Sequence, residues 1–546
     1  MKGKSRRKPT PRQSQPRDRK RVWTFVALGI ILLVSLLRAM HLGFPLERDE
    51  GEFGYIAQEM LRGVPMYESA YTQKLPGTYF FYALFLSVFG QSITAIHLGL
   101  LLVNAVIMAL LFLILRKTHS APAGCLGALV FGVTALSPNV LGFAGHATFF
   151  VSLFALLGLL LLLYAREKGL LALFFSSGLS FGFAFLMKQS GVFFAPLAIV
   201  FLALDDLAFK PRQPVRFALR SLVLGVGSIL PALILFTYYA AIGKFSLLWF
   251  WAFKLAGEFS RHFSAQVVQA FLAMTQYVTA GFALPWILSV VGLLVMLRDR
   301  TLGRNRYLYL TFAAACFLTI VPGFYFTPHY WISLLPAVAL LIGALAGAAE
   351  RWRGWAATAV WIVTGLGLIL GVARQESFYF GRVSDAEQAR TIYFGNPFSE
   401  SIEIGKYLKE HTTPQDRIAI LGSETQIYFY AQRRSASRFV NTYFLTADHP
   451  KNREMQHEMI RDIEQARPKY LLLVNLSTSW SFLANTPHDI LDWADTYPKG
   501  KYGLEGLVKI YREGSVAKWG DEARAQSLSP SDWFVAVYRR IDPSGS

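Results

Sequence analysis

Charged residues and cysteines are scarce in this sequence. Asp, Glu, Lys and Arg make up 16% of its 546 residues, whereas a soluble domain carries about 25%. Its two cysteines, Cys125 and Cys316, lie inside apolar runs, so we expect packing residues rather than a disulfide or a metal site. No G-x-G-x-x-G motif is present, and the lone Gly422 after a short apolar run is interpreted as a turn rather than a nucleotide site.

Long apolar stretches dominate what is present. Hydrophobic residues make up 53% of the chain, and runs of about 18 of them, the length that crosses a bilayer, recur between Thr24 and Ala373. The sequence therefore predicts a polytopic α-helical membrane protein with about eleven spans. We place them at roughly 22–42, 93–115, 121–137, 145–165, 170–187, 191–207, 217–241, 277–297, 307–323, 329–349 and 354–373.

Basic residues exceed acidic ones, and their placement predicts the orientation. The net charge is +19, and residues 1–21 hold ten Lys or Arg and one acid. Nucleic-acid binding is one interpretation of such a tail, but a span follows directly, which favours a cytoplasmic tail that sets orientation and touches anionic lipid. We expect no cleavable signal peptide. Every loop on the same predicted side is basic, at 116–117, 166–168, 210–220, 298–306 and 351–353.

This pattern predicts a protein of the inner (plasma) membrane with three regions. Residues 1–21 form the cytoplasmic tail, 22–373 the membrane domain, and 374–546 an extracytoplasmic domain. In the last region, short apolar runs at 416–422 and 469–475 predict strands, and the spacing at 400–411 and 452–466 predicts helices, so the domain is expected to be α/β.

The first outside loop, residues 43–92, holds two further helical patterns. Residues 50–64 place apolar side chains on one face, which predicts an amphipathic helix lying on the membrane surface. Residues 78–90 are apolar but short, which predicts an interfacial or re-entrant helix rather than a span.

Ionisable residues recur near the predicted outer boundary of the membrane. They are Asp49 and Glu50 in "LERDEGEFG", Lys74, His146, Lys188 and His329. A carboxylate can take a proton from an attacking hydroxyl, and lysines can hold a phosphate, so the set suggests chemistry on a phosphorylated lipid. Each member also has an ordinary interpretation: a solvated turn for the acids, a headgroup anchor for the lysines, and a structural role for the histidines.

The loop motif resembles that of GT-C membrane glycosyltransferases. The stretch "RDEGEFGYIAQEMLRGVPMY" followed by "TQKLPGTYFFYALFLSVFG" is similar to the first outside loop of the protein O-mannosyltransferase and aminoarabinose lipid A transferase groups. "GLSFGFAFLMKQSGVFFAPLAI", "FTPHYWISLLPAVALLIGAL" and "ETQIYFYAQRRSASRFV" resemble later segments of these proteins. The resemblance covers most of residues 22–475.

This resemblance implies an inverting transfer of a sugar from a polyprenyl-phosphate donor to an acceptor hydroxyl of a protein, lipid or polysaccharide. It implies that Asp49 is the general base and that Glu50 completes the acidic pair. The expected substrate-binding residues are Lys74, Lys188, His329, His146, Gln73, Tyr55 and Tyr330. Relatives often carry a second acid where this chain has His146, so the resemblance leaves a divalent metal possible without indicating one, and no cofactor is expected to be required.

Two other classes of function remain open from the sequence. A lipid or sugar transporter (a flippase) would usually show inverted repeats and ionisable groups near the bilayer midplane, whereas the charges here lie at one boundary. A GT-C-like protein that binds sugar without catalysis would share the fold. Release of lipid phosphate from a labelled donor would distinguish a transferase from both.

Overall fold

A computed structural model describes residues 16–208, 211–258, 265–299, 302–352, 354–483, 485–529 and 531–541. Most of the predicted basic tail, residues 1–15, lies outside these ranges, as do Lys210 and Arg353 of the basic loops. The first helix, α1, begins at Pro16 and continues to Ala39 without a break.

Helices make up the amino-terminal two thirds of the chain. After α1 come α2 (Arg48–Leu61), α3 (Gly77–Phe89), α4 (Ile93–Thr118), α5 (Ala121–Thr134), α6 (Ala147–Lys168), α7 (Leu171–Met187), α8 (Phe194–Leu207), α9 (Pro214–Ala241), α10 (Phe245–Trp249), α11 (Ala256–Glu258), α12 (Ala265–Ala280), α13 (Ala283–Arg298), α14 (Asn305–Leu318), α15 (Leu335–Trp352) and α16 (Gly354–Arg374). A π-helix at Phe250–Leu255 joins α10 to α11.

Seven helices of the described residues are long and apolar enough to cross a bilayer. These spans are Arg21–Ala39, Ile93–Thr118, Ala147–Lys168, Gln189–Leu207, Pro214–Ala241, Pro328–Trp352 and Trp355–Arg374. The helices α12 and α13, over which the predicted span 277–297 lies, count as an eighth span if taken together, but a bend of 111° separates them, so this span stays a prediction. The multi-pass architecture is confirmed, whereas the number eleven stays a prediction.

Glycines bring α7 and α9 into backbone contact. A Cβ atom on Gly178 would lie 2.0 Å from the Leu224 carbonyl oxygen, and one on Gly182 would lie 2.4 Å from that of Ser228. In the other direction, a Cβ atom on Gly227 of α9 would lie 2.3 Å from the Phe175 carbonyl oxygen of α7. Small residues four apart allow such an approach, and close packing is what holds helices together where both neighbours and lipid are apolar.

The carboxyl-terminal part is an α/β domain, as predicted. Its helices are α17 (Glu376–Tyr379), α18 (Asp385–Ile392), α19 (Glu400–Glu410), α20 (Thr425–Ala431), α21 (Tyr443–Thr446), α22 (Asn452–Ala466), α23 (Asp489–Thr496) and α24 (Asp521–Arg524). Its strands are β1 (Arg417–Leu421), β2 (Arg434–Ser435), β3 (Tyr470–Asn475), β4 (Tyr502–Tyr511), β5 (Gly514–Trp519) and β6 (Phe534–Arg540). The predicted strands correspond to β1 and β3, and the predicted helices to α19 and α22.

These strands form one sheet in the order β2-β1-β3-β6-β4-β5. The strand β1 runs parallel to β2 and β3, with Ile418 opposite Tyr470, and the remaining pairs are antiparallel. Most residues of its central strands β1 and β3 are buried.

Helix α2 is buried in the protein, so the prediction of a helix on the membrane surface is wrong. Ten of its residues are buried, including the charged or polar Glu50, Glu52, Gln58 and Glu59. The helix α20 of the α/β domain covers the face that the sequence pattern left polar: a Cβ on Gly51 would lie 2.4 Å from the Gln426 backbone nitrogen. The short helix predicted at 78–90 is confirmed by α3, which has 13 residues.

Candidate functional site

Asp49 lies in the first turn of α2, at one end of the helix bundle. The Glu47 side chain caps this helix by accepting a hydrogen bond from the Glu50 backbone nitrogen at 2.9 Å. Carboxylates are stabilised at a helix amino terminus by its dipole. The Asp49 side chain keeps 29% of its surface exposed, so it remains accessible while its backbone is fixed. We call this end of the bundle the site face.

Lys74 bridges two carboxylates across the site. Its ammonium group lies 2.9 Å from Asp49 Oδ1 and 3.0 Å from Glu52 Oε1, and it also lies over the Phe53 ring. The lysine lies in the loop between α2 and α3, three residues before α3 begins, so the structure brings together two residues that are 25 positions apart in the sequence.

Glu52 is a member of the site that the sequence interpretation missed. It is 1% exposed and accepts hydrogen bonds from the Thr72 hydroxyl at 2.7 Å and the Tyr79 hydroxyl at 2.5 Å, in addition to Lys74. A buried carboxylate needs such partners. Its spacing from Asp49 could have identified it, because Glu52 follows Asp49 by three residues and residues three apart on a helix share a face.

Electrostatics hold Asp49 in its ionised form. Burial raises the pKa of the Asp49 carboxyl, but the positive charge of Lys74 and the hydrogen bond from its ammonium group outweigh burial and hold that pKa below its usual value. Burial likewise opposes the charge on Lys74, and the two carboxylates overcome it, so the pKa of Lys74 is raised.

Lys188 provides a second cation at the same end of the bundle. It is the residue after α7, it is half-buried, and its ammonium group lies 3.2 Å from the centre of the Tyr330 ring. Among the described residues no carboxylate lies within ion-pair distance of Lys188, unlike Lys74. The Gln73 carbonyl accepts a hydrogen bond from Gln189 Nε2 at 2.7 Å, which joins the loops that carry the two lysines.

Two histidines complete the cluster. His146 and His329 stack with ring centroids 4.2 Å apart and planes 11° apart, and His329 Nε2 lies 4.0 Å from Asp49 Oδ2. Both ring nitrogens of the buried His146 have no hydrogen-bond partner among the described protein atoms, while Glu47 Oε1 lies 3.8 Å from its Nδ1. Burial lowers the pKa of His146 to about 4, so its ring is neutral.

These residues also form a candidate set of metal ligands. Asp49, His146 and His329 each offer one ligand atom, and these atoms lie within 4.8 Å of one another. A histidine nitrogen binds a metal along its lone pair, which lies in the plane of the ring. Because the two rings are stacked nearly parallel, their lone pairs do not converge, so an ion would require one imidazole to rotate.

Glu50 points away from this cluster. It is 1% exposed and accepts a hydrogen bond from the Gly145 backbone nitrogen at 2.5 Å, with His97 Nε2 at 3.2 Å on the same oxygen. Its carboxylate thus fixes the segment that carries His146. The geometry therefore favours a positioning role for Glu50 over direct catalysis.

Tyr55 does not reach the site. It is 1% exposed, its hydroxyl accepts a hydrogen bond from the Ser435 backbone nitrogen at 3.0 Å, and its ring packs against Tyr428. It joins α2 to the α/β domain, because the face of the helix that carries it is turned towards that domain. The structure does bring the other predicted site residues to the site face.

Arg48 fastens the start of α2 to the α/β domain. Its guanidinium group contacts Glu424 Oε1 at 2.9 Å and donates hydrogen bonds to the Ser423 carbonyl oxygen at 2.8 Å and the Tyr443 hydroxyl at 2.6 Å. Thr425 Oγ1 donates in turn to the Arg48 carbonyl oxygen at 2.7 Å. The residue before Asp49 is thus held by the distant domain, which sequence spacing could not reveal.

Comparisons with known proteins find one family model and several solved structures that are similar to this chain. Residues 73–235 match the family model described as dolichyl-phosphate-mannose-protein mannosyltransferase. The structure of ArnT from Cupriavidus metallidurans bound to undecaprenyl phosphate superposes with a TM-score of 0.57 at 14% identity, over 97% of this chain and 99% of that chain. The structure of AglB from Archaeoglobus fulgidus in complex with an inhibitory peptide and a dolichol-phosphate has a TM-score of 0.49 at 14% identity, over 93% of this chain and 75% of that chain. No curated protein sequence matches the chain.

The ArnT likeness extends over both the helix bundle and the α/β domain, because nearly all of each chain is covered. At such low identity it establishes the fold and leaves the substrate open. The protein is therefore a multi-pass membrane protein with the GT-C glycosyltransferase fold and a carboxyl-terminal α/β domain, and its residues 73–235 match the mannosyltransferase family of that class.

Proposed function

We propose that the protein transfers a sugar from a polyprenyl-phosphate donor to an acceptor hydroxyl, with inversion and with Asp49 as the general base. The observation that carries this proposal is the cluster of Asp49, Lys74 and Lys188 at one end of an apolar helix bundle. A carboxylate beside two cations suits a reaction in which a proton is taken from one oxygen and a phosphate leaves from another.

In the proposed step, the acceptor oxygen attacks the anomeric carbon from the face opposite the phosphate. A bond forms between that oxygen and carbon while the bond from carbon to phosphate oxygen breaks, and the lipid phosphate leaves with the electron pair. Asp49 takes the proton of the acceptor. Positive charge develops on the sugar ring, as in glycoside hydrolysis, and Lys188 and Lys74 stabilise the negative charge on the departing phosphate.

The bridge between Lys74 and Asp49 links donor binding to catalysis. A carboxylate whose pKa is held low is a weak base, and Lys74 is the main cause of the low pKa. A donor phosphate competes with Asp49 for the Lys74 ammonium group. When the lysine turns to the phosphate, the pKa of Asp49 rises towards its ordinary value, so the base gains strength once the donor is present.

We further propose that the site face lies outside the cytoplasm and that no cofactor is required. The basic loops at the other end of the bundle support this orientation by the positive-inside rule. Reporter fusions at Ser399 and Arg304 test it: the Ser399 fusion should report an extracytoplasmic position and the Arg304 fusion a cytoplasmic one, and the reverse pattern would refute the orientation.

Purified protein with a labelled polyprenyl-phosphate sugar and candidate acceptors tests the chemistry. Asp49→Asn keeps the size and the polar contacts of the side chain but removes the base, so turnover should fall by about 100- to 10,000-fold. Donor binding, measured separately, should remain. Lipid phosphate should be released only when an acceptor hydroxyl is supplied.

Glu50→Gln is the matched control because it changes the neighbouring acid that faces away from the cluster. It should reduce turnover less than Asp49→Asn does. Near-normal turnover in Asp49→Asn would refute the assignment of the base. Donor binding without any release of lipid phosphate in the unmodified protein would instead favour a binding protein or a transporter.

A further inference from the structure

A second charged centre lies at the end of the bundle opposite the site face. The buried residues Asp205 and Asp206, at the end of α8, are each 3% exposed. Four arginines surround them. Arg166 and Arg304 reach Asp205 at 3.5 Å, Arg216 reaches Asp206 at 3.4 Å, and Arg220 reaches it at 3.0 Å.

This centre carries more positive than negative charge. The four arginines face two aspartates, and Lys168 adds another cation at the same place. Glu167, the neighbouring acid, is paired with Lys117. The buried carboxylates hold the guanidinium groups in fixed positions, and guanidinium groups bind phosphate oxygens through parallel hydrogen bonds.

The excess charge borders a cleft of about 880 Å³ between the turn from α6 to α7 and the start of α9. Its lining includes Arg166, Lys168, Arg216 and Arg220. Arg216 keeps 42% of its side chain exposed and Lys168 is exposed, so both cations are available to a ligand. The cleft also adjoins the amino terminus of α9, whose dipole favours an anion.

An apolar strip leads from the cleft along α9 towards the middle of the membrane. It consists of Val215, Leu219, Leu222 and Val226, which are 80%, 45%, 65% and 52% exposed. The spacing of four, three and four residues places them on one face of the helix. The ligand that matches both features has an anionic head and apolar chains, because the head would meet the cations of the cleft while a chain lies along the strip.

We infer that this cleft binds the headgroup phosphate of an anionic phospholipid in the leaflet opposite the site face, with an acyl chain along the apolar strip of α9. Basic pockets between membrane helices are suited to such headgroups. The inference does not depend on the reaction proposed above, because it concerns the other end of the bundle.

The test compares phosphatidylglycerol with phosphatidylcholine on the full-length protein in detergent. The measurement is retention of each lipid by native mass spectrometry as its concentration is raised. The double variant Lys168→Gln/Arg216→Gln removes the two accessible cations and leaves Arg166 and Arg220 to hold the buried aspartates. It should weaken the binding of phosphatidylglycerol by about 10- to 30-fold and leave phosphatidylcholine unchanged.

Arg116→Gln/Arg298→Gln is the matched control, because it removes two exposed charges from the same end of the bundle without touching the cleft. It should keep the affinity for phosphatidylglycerol. Equal losses in both double variants would show that only the general charge of this end matters and would refute the site. Equal binding of the two lipids to the unmodified protein would refute it as well, as would full competition by inorganic phosphate, which would indicate a free-anion site.

Discussion

The contact between Arg48 and Glu424 gives a direct test of whether the α/β domain helps to build the site. Glu424→Gln preserves the shape of the side chain and removes its charge. The Glu424 side chain is 0% exposed and that of Arg48 is 12% exposed, so the guanidinium group would lose its only charged partner among the described residues while remaining buried. Removing one member of a buried pair typically costs about 3–5 kcal/mol.

The structure places the expected cost near the lower end of that range. Arg48 retains hydrogen bonds to the Ser423 carbonyl oxygen, the Tyr443 hydroxyl and the Asn396 side chain, which keep it partly satisfied. We therefore expect a loss of about 3 kcal/mol in the free energy of unfolding. Because Arg48 precedes Asp49, we also expect turnover to fall by up to about 100-fold, the effect of displacing a catalytic group by about 1 Å.

Thermal unfolding and turnover at saturating donor provide the two measurements. Glu376→Gln is the control, because Glu376 and Arg382 form an exposed pair at 2.8 Å in the same part of the chain. Exposed pairs contribute about 0–1 kcal/mol, so this variant should resemble the unmodified protein. If Glu424→Gln kept both the unfolding temperature and the turnover of the unmodified protein, the α/β domain would not position Asp49.

Three further predictions concern single side chains near the site. Burial lowers the pKa of Lys188 to about 7, so raising the pH from about 6 to about 9 should remove its charge and weaken donor binding. The variant Lys188→Arg stays charged over this range, so its donor binding should not depend on pH. If donor binding by that variant kept the pH dependence of the unmodified protein, this role of Lys188 would be contradicted. Gly51→Ala, which introduces a Cβ against the backbone of α20, should lower the free energy of unfolding by about 1–3 kcal/mol, whereas Gly29→Ala, with open space around it, serves as the control. Tyr79→Phe removes one of the donors to the buried Glu52 and should cost about 1.5–3 kcal/mol in thermal unfolding; no change would mean that solvent replaces the hydroxyl.

Hydropathy and motif together predicted the architecture and most of the cluster. Apolar length alone locates spans, because a bilayer imposes a minimum length on a helix. The resemblance of the loop motif pointed to Asp49 and Lys74, and the structure places their side chains 2.9 Å apart. Lys188 was identified by its isolation as a cation on the predicted outer side, and it lies at the same end of the bundle.

Two differences from the sequence analysis share one physical cause, which is contact between distant parts of the chain. The polar face of α2 suggested a membrane surface, yet it is covered by α20, some 370 residues later. Tyr55 was expected to bind substrate from the resemblance, but its hydroxyl accepts a hydrogen bond from the Ser435 backbone nitrogen of the distant α/β domain. The bend between α12 and α13 was not predicted, because hydropathy measures how apolar a segment is and not the direction in which its helix runs.

Under the proposed function, the glycine contact between α7 and α9 gives a route by which selectivity for the donor could change. Lys188 follows α7 directly, and Gly182 lies roughly 9 Å before it along the helix axis. Because backbone touches backbone at this glycine, a methyl group there must push the two helices apart and carry the lysine with them. Variation in headgroup preference can therefore arise from residues that never touch the donor, and a search for altered specificity should sample the small residues of this helix pair alongside the lining of the site.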